Sequence, residues 1–163
     1  MGKEPGGGKR LGFISRSAGG WFLLLLVAGW LAAPLPVLAA GVLSAPEALA
    51  KARAGEIVII DVRTTGEWAQ TGVPEGAVQV SLFPEWGVPN ETFVDDVLAR
   101  AGNDRTRPIA TICARGNRSS FARDLLTQNG FTSVYSISEG MIGSSFGPGW
   151  LARGLPVEPC QGC

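Results

Sequence analysis

Three short apolar runs, Ile57-Val58-Ile59-Ile60, Ile109-Ala110-Thr111-Ile112 and Val134-Tyr135-Ser136-Ile137, are separated by segments with helical patterning. This alternation constrains the fold more than any other feature of the chain. The β-branched run Ile57-Val58-Ile59-Ile60 fits a buried strand, and the other two read as further strands. Helical connections between such strands imply a parallel sheet covered on both sides, so the fold class is α/β. Ser44-Ala45-Pro46-Glu47 reads as a capping box with proline in the first turn, opening a helix that ends near Ala54-Gly55. Residues 65–70 fit a short helix and Val78-Gln79-Val80 a weak strand. Asn90 caps a predicted helix over residues 91–101, with Val94, Val97 and Leu98 on one face and Gly102 as its stop. A further helix starts at Ser119 or Ser120 and runs to Asn129, before Gly130. Residues 140–149 form a Gly/Ser-rich loop, and 150–153 one more helical turn.

The 163 residues suffice for one domain with a sizeable core. Residues 1–40 carry Lys3, Lys9, Arg10 and Arg16 against Glu4 alone. They continue into the apolar run from Trp21 to Leu31, then Pro34, Pro36 and the small residues Ala39 and Ala40. This is the three-part pattern of a secretory signal peptide cleaved near Ala39 or Ala40. It implies a periplasmic or secreted protein, with a membrane association only if the segment stays uncleaved. The domain then covers 41–158, and 159–163 form a Cys-x-x-Cys tail. The remainder after the signal is mildly acidic and has no basic stripe, which excludes a nucleic-acid partner.

The chain has no histidine. Cys-His and Ser-His catalysis are excluded with it, as are His-ligated metal sites. Chemistry must come from cysteine, carboxylates, arginine, hydroxyls or backbone amides, and neither a metal nor a cofactor is expected. The segment Ile112-Cys113-Ala114-Arg115-Gly116-Asn117-Arg118-Ser119 places a cysteine at a strand end, a glycine in a tight loop and a helix directly after it. Loop N–H groups can form an anion-binding nest around the sulfur. The helix adds its positive N-terminal end, and Arg115 and Arg118 add full charges. All of these favour thiolate over thiol, so Cys113 is the candidate nucleophile. Arginine is unfavourable at a helix N-terminus, so Arg118 has a task there, in holding substrate or loop.

Cys113-Ala114-Arg115-Gly116-Asn117-Arg118-Ser119 resembles the active-site loop of the rhodanese family. Asp61-Val62-Arg63-Thr64-Thr65-Gly66-Glu67-Trp68 is similar to the family's upstream signature and Pro74-Glu75-Gly76-Ala77-Val78 to the segment after it. Glu139-Gly140, Trp150 and Gly154-Leu155-Pro156-Val157 resemble its C-terminal end. The resemblance implies a five-stranded parallel sheet with helices on both faces. It also implies a sulfurtransferase. Cys113 takes sulfane sulfur from thiosulfate or a similar small anion as a persulfide, and passes it to cyanide, a thiol or a redox-protein acceptor. The loop from Cys113 to Arg118 spans six residues. Related phosphatases and arsenate reductases of this fold use one residue more, which disfavours those activities here. Ala114 stands where thiosulfate enzymes often have arginine, which keeps open a non-enzymatic sulfur carrier or interaction module on the same scaffold.

Around this loop, Asp61 is expected to brace it by hydrogen bonds and Arg63 to pair with Glu67. Trp68, Trp86 and Trp150 are expected as core or rim aromatics, and Met141, Ser144 and Ser145 as bordering the site. Cys160 and Cys163 are expected to form a local disulfide, with a redox relay to Cys113 as the sharper alternative. That pairing leaves Cys113 as the odd, free thiol.

Overall fold

In a computed structural model of the chain, residues 41–84 and 87–163 are described. The expected signal peptide, residues 1–40, and Trp86 lie outside them. The element order is β1 (Gly41–Val42), α1 (Ala45–Arg53), β2 (Val58–Asp61), α2 (Thr65–Thr71), β3 (Val73–Pro74), β4 (Val78–Gln79), α3 (Phe93–Arg100), β5 (Ile109–Ile112), α4 (Asn117–Gln128), β6 (Val134–Ile137) and β7 (Val157–Glu158). Five strands form one parallel sheet in the order β1-β6-β5-β2-β4. Short β3 and β7 pair antiparallel beside it.

The three apolar runs are the three central strands. Ile59, Ile60, Ile109, Ile112 and Ile137 are at or near zero exposure, which at about 1.5–3 kcal/mol per fully buried aliphatic side chain makes this sheet the main source of stability. Period-two alternation divides their side chains between two cores. Ile60, Ile109 and Val134 pack with Phe93 and Val97 of α3 and Ala122 and Leu126 of α4. Ile59, Ile112 and Ile137 pack with Ala45, Ala48 and Leu49 of α1, together with Met141 and Trp150.

Several expected boundaries shift, each for a local reason. Ser44 is the N-cap of α1, but its hydroxyl caps nothing. The buried Glu139 carboxylate, distant in sequence, instead accepts the Ala45 N–H at 2.6 Å. A full negative charge at the positive end of a helix is the better partner. The capping box forms at α2, where Thr64 and Glu67 satisfy each other's backbone N–H. At α3 the Asn90 side chain accepts from both the N–H and hydroxyl of Thr92, so the helix starts two residues later than expected. α4 starts earlier, at Asn117, because Gly116 in the left-handed region (φ 95°) turns the chain directly into it. Residues 150–153 are turns rather than a helix.

Candidate active site

β5 delivers Cys113 to the carboxyl edge of the sheet, where ligands bind in open parallel sheets. The thiol is 1% exposed. Its Sγ accepts the Gly116 N–H at 3.1 Å, and Sγ lies 3.7 Å from Ser119 Oγ, to which the thiol donates. The loop closes this tightly only because residue 116 is glycine. A Cβ there would collide with the Ser138 carbonyl, and φ is positive. A second strap holds the loop from outside. Met141 N–H donates to the Cys113 carbonyl at 2.9 Å and Ile142 N–H to the Ala114 carbonyl at 3.0 Å. Gly140 (φ 67°) lets the strap approach, since a Cβ there would strike the Ala114 carbonyl. Beneath the loop, the Ser119 hydroxyl donates to the Gly116 carbonyl at 2.9 Å and lies 3.0 Å from that of Ser136, which accepts from Ser138 at 3.2 Å.

The charged residues sort differently from the expected pairing. Arg118 forms a bidentate pair with Glu67, Nη1 to Oε2 at 2.7 Å and Nη2 to Oε1 at 2.6 Å. Thr64 N–H and Oγ1 also donate to Glu67 Oε2. Burial by itself raises the Glu67 carboxyl, but the Arg118 and Thr64 hydrogen bonds and the Arg118 charge prevail and hold it down at about 2, from an ordinary 4.5. Glu67 in turn raises Arg118. Arg118 therefore clamps the start of α4 to the start of α2. It serves the loop, with its charge already matched.

Arg63 does not pair with Glu67. It is 1% exposed and bonded to the fully buried Asp61, with Nη2 to Oδ2 at 2.6 Å and Nε to Oδ1 at 2.9 Å. Its remaining donors reach Thr71 Oγ1 and the Gly72 carbonyl, both at 2.7 Å. Asp61 likewise does not brace the Cys113 loop. Asp61 registers with Ile112, so its side chain shares that residue's face of the sheet, and Cys113 points to the other. The Asp61–Arg63 pair instead pins β2 to the end of α2.

Ala114 is half-buried, while Arg115 and Asn117 are exposed. Arg115 forms no ion pair among the described residues. A cavity of about 470 Å³ lies beside the clamp, lined by Thr64, Glu67, Phe83, Gly87 and Arg118. Phe121, on α4, lies 6.4 Å from Phe83 between ring centroids. Trp68 and Trp150 are core residues, and the indole N–H of Trp150 donates to the Pro156 carbonyl. Met141 is fully buried as part of the strap, and Ser144 Oγ donates to the Ser138 carbonyl at 2.8 Å.

Sequence reasoning missed the support from Thr64, Ser136, Ser138 and Glu139. Glu139 accepts from Ala45 N–H, Gly149 N–H and Arg153 Nε, joining α1 to the strap. Burial alone would raise its carboxyl, but these partners hold it below the usual carboxylate range. The only advance signal was the Glu139-Gly140 pair itself. Cys160 and Cys163 form a disulfide and Cys113 is a free thiol.

The rhodanese-like domain profile matches residues 44–143. An uncharacterized protein of Rickettsia rickettsii is 33% identical over 101 residues, covering 61% of this chain and 81% of that protein. Among solved structures, Rv0390 of M. tuberculosis is 30% identical, with a TM-score of 0.58 over 74% of this chain and 98% of that one. The polysulfide-sulfur transferase homodimer of Wolinella succinogenes is 25% identical, with a TM-score of 0.56 over 76% of this chain and 81% of that one.

Proposed function

Since the chain belongs to the rhodanese-like domain family, we propose that it is a sulfurtransferase carrying sulfane sulfur on Cys113. The observation that carries this reading is the Cys113 loop itself. A buried sulfur accepts a backbone N–H at 3.1 Å one residue before a helix N-terminus, in a chain without histidine. These dipoles point at the sulfur position and stabilise the persulfide anion that loading creates there, as an oxyanion hole stabilises oxygen. The donor is thiosulfate or a similar small anion. The thiolate attacks the outer sulfur of thiosulfate, the S–S bond breaks, and sulfite leaves with the electron pair. An acceptor thiolate or cyanide then attacks the outer sulfur of the persulfide and regenerates the Cys113 thiolate. Arg118 is matched by Glu67, so Arg115 is the cation available to the donor's anionic end. The name of the Wolinella succinogenes relative is consistent with a sulfane-sulfur donor.

Incubation of the purified protein with thiosulfate is expected to add one sulfur to Cys113 in the intact mass, and cyanide is expected to release it as thiocyanate. Absence of both products sinks the enzymatic reading. The near-complete burial of Cys113 favours, as a second reading, a carrier or interaction module whose thiol opens only against a protein partner. An adduct that forms but resists cyanide while a partner protein unloads it would select that reading.

A further inference from the structure

The Cys160–Cys163 disulfide ties the tail to itself. Both cysteines lie in the same short tail, three residues apart, so the bond cross-links no part of the domain. A ring this small also removes little entropy from the unfolded chain, and a stabilising staple is a poor account of it. Its surroundings suggest another use. Gln79, the last residue of β4, directs its side-chain amide at the pair. Nε2 donates to Cys160 Sγ at 2.9 Å and, over a longer 3.8 Å, to Cys163 Sγ. Cys163 is exposed and Cys160 half-buried. A cavity of about 440 Å³ opens beside them, with Trp68, Val73 and Gln79 on the domain side and Gly162 and Cys163 on the tail side. The indole N–H of Trp68 is buried and has no hydrogen-bond partner among the described residues, an unspent donor at the cavity wall.

The two sulfurs are therefore not equivalent. The exposed one is open to attack, and the one the amide approaches at 2.9 Å rather than 3.8 Å is the better stabilised as a leaving thiolate. Thiol–disulfide exchange runs faster when the departing thiolate is stabilised. We infer that Cys160–Cys163 is a thiol–disulfide exchange site, separate from Cys113, that takes two electrons from a dithiol. The incoming thiolate attacks Cys163 Sγ and forms a mixed disulfide, while the S–S bond breaks and its electron pair leaves on Cys160, facing Gln79. The second thiol of the donor, as thiolate, then attacks its own sulfur in the mixed disulfide and releases Cys163. The donor ends as a disulfide and the tail as a dithiol. Direct exchange with Cys113 is not part of this site. Thr64 and Glu67 of the α2 start line the cavity beside Arg118, whereas Thr65 and Trp68 line the one beside the disulfide, so the two centres open on different faces of α2.

The test uses the full chain with Cys113→Ser, so that only the tail can react. Glutathione attacks the disulfide, the reaction is quenched by alkylation, and peptide mapping locates the glutathione. It is expected on Cys163. Reduction by dithiothreitol is expected to slow about tenfold in Gln79→Ala, the loss of one charge-assisted hydrogen bond. Gln79→Glu, which sets a carboxylate against the departing thiolate, is expected to be slower still. A peptide of residues 155–163 is the reference for an unassisted disulfide, and the folded chain is expected to outpace it. Glutathione on Cys160, equal rates across the Gln79 variants, or a folded chain no faster than the peptide would each overturn the inference.

Discussion

Replacing Glu67 by glutamine leaves the size of the side chain and a neutral hydrogen bond, and removes the charge that Arg118 clasps with two short contacts. A carboxyl held at about 2 instead of 4.5 corresponds, at about 1.4 kcal/mol per pH unit, to roughly 3 kcal/mol as an upper bound. The Glu67 side chain is 29% exposed and that of Arg118 27%. Solvent screening reduces the expected loss in Glu67→Gln to about 1–2 kcal/mol at neutral pH. The pH dependence follows from the sign of the shift. A carboxyl lowered by folding stabilises fully above its unfolded value of 4.5, and this contribution drains away as pH falls toward 2. Urea unfolding of wild type and Glu67→Gln at several pH values between 7 and 3 isolates it. Glu139 is also lowered by folding, but its contribution is common to both proteins and cancels in the difference. The stability gap is expected to be flat from pH 7 to about 5 and to narrow below 4.5. A gap that stays constant into the acid range, or widens there, would refute the clamp.

Three further outcomes are expected. Gly116→Ala puts a Cβ into the Ser138 carbonyl at positive φ, at a cost of at least about 2 kcal/mol read as a lower urea midpoint, and with it loss of sulfur loading on Cys113. Asp61→Ala leaves the buried Arg63 cation unpaired and is expected to destabilise by about 3–5 kcal/mol in the same assay, more than Glu67→Gln. Arg115→Ala removes an exposed cation that no carboxylate matches among the described residues. It is expected to raise the KM for thiosulfate about three- to tenfold with little change in kcat, and unchanged KM would assign donor binding elsewhere.

The fold class and the strand–turn–helix setting of Cys113 were legible in sequence because both are local. The runs at 57–60, 109–112 and 134–137 carry their own burial pattern, and a cysteine followed by glycine and arginines at a helix start carries its own electrostatics. Strand β1 was not legible, because Gly41-Val42 has no pattern of its own and becomes a strand only by pairing with β6. The β3–β7 pair is similar, joining residues far apart in the chain. Charge pairing was the other blind spot. Arg63 and Glu67 stand one helical turn apart and read as natural partners, as do Ser44 and Glu47. Which carboxylate each cation or N–H meets depends on the sheet face to which Asp61 is turned, on the approach of α4 to α2, and on Glu139 reaching back to α1. Sequence by itself thus determined the layers of the fold and the place of Cys113 in a glycine turn at a strand end. Tertiary structure alone decided that Arg118 pairs with Glu67, that Asp61 holds Arg63, and that Gln79 faces the disulfide. Hydrophobic periodicity is encoded in neighbouring residues, whereas polar partners are chosen by register and packing between distant ones.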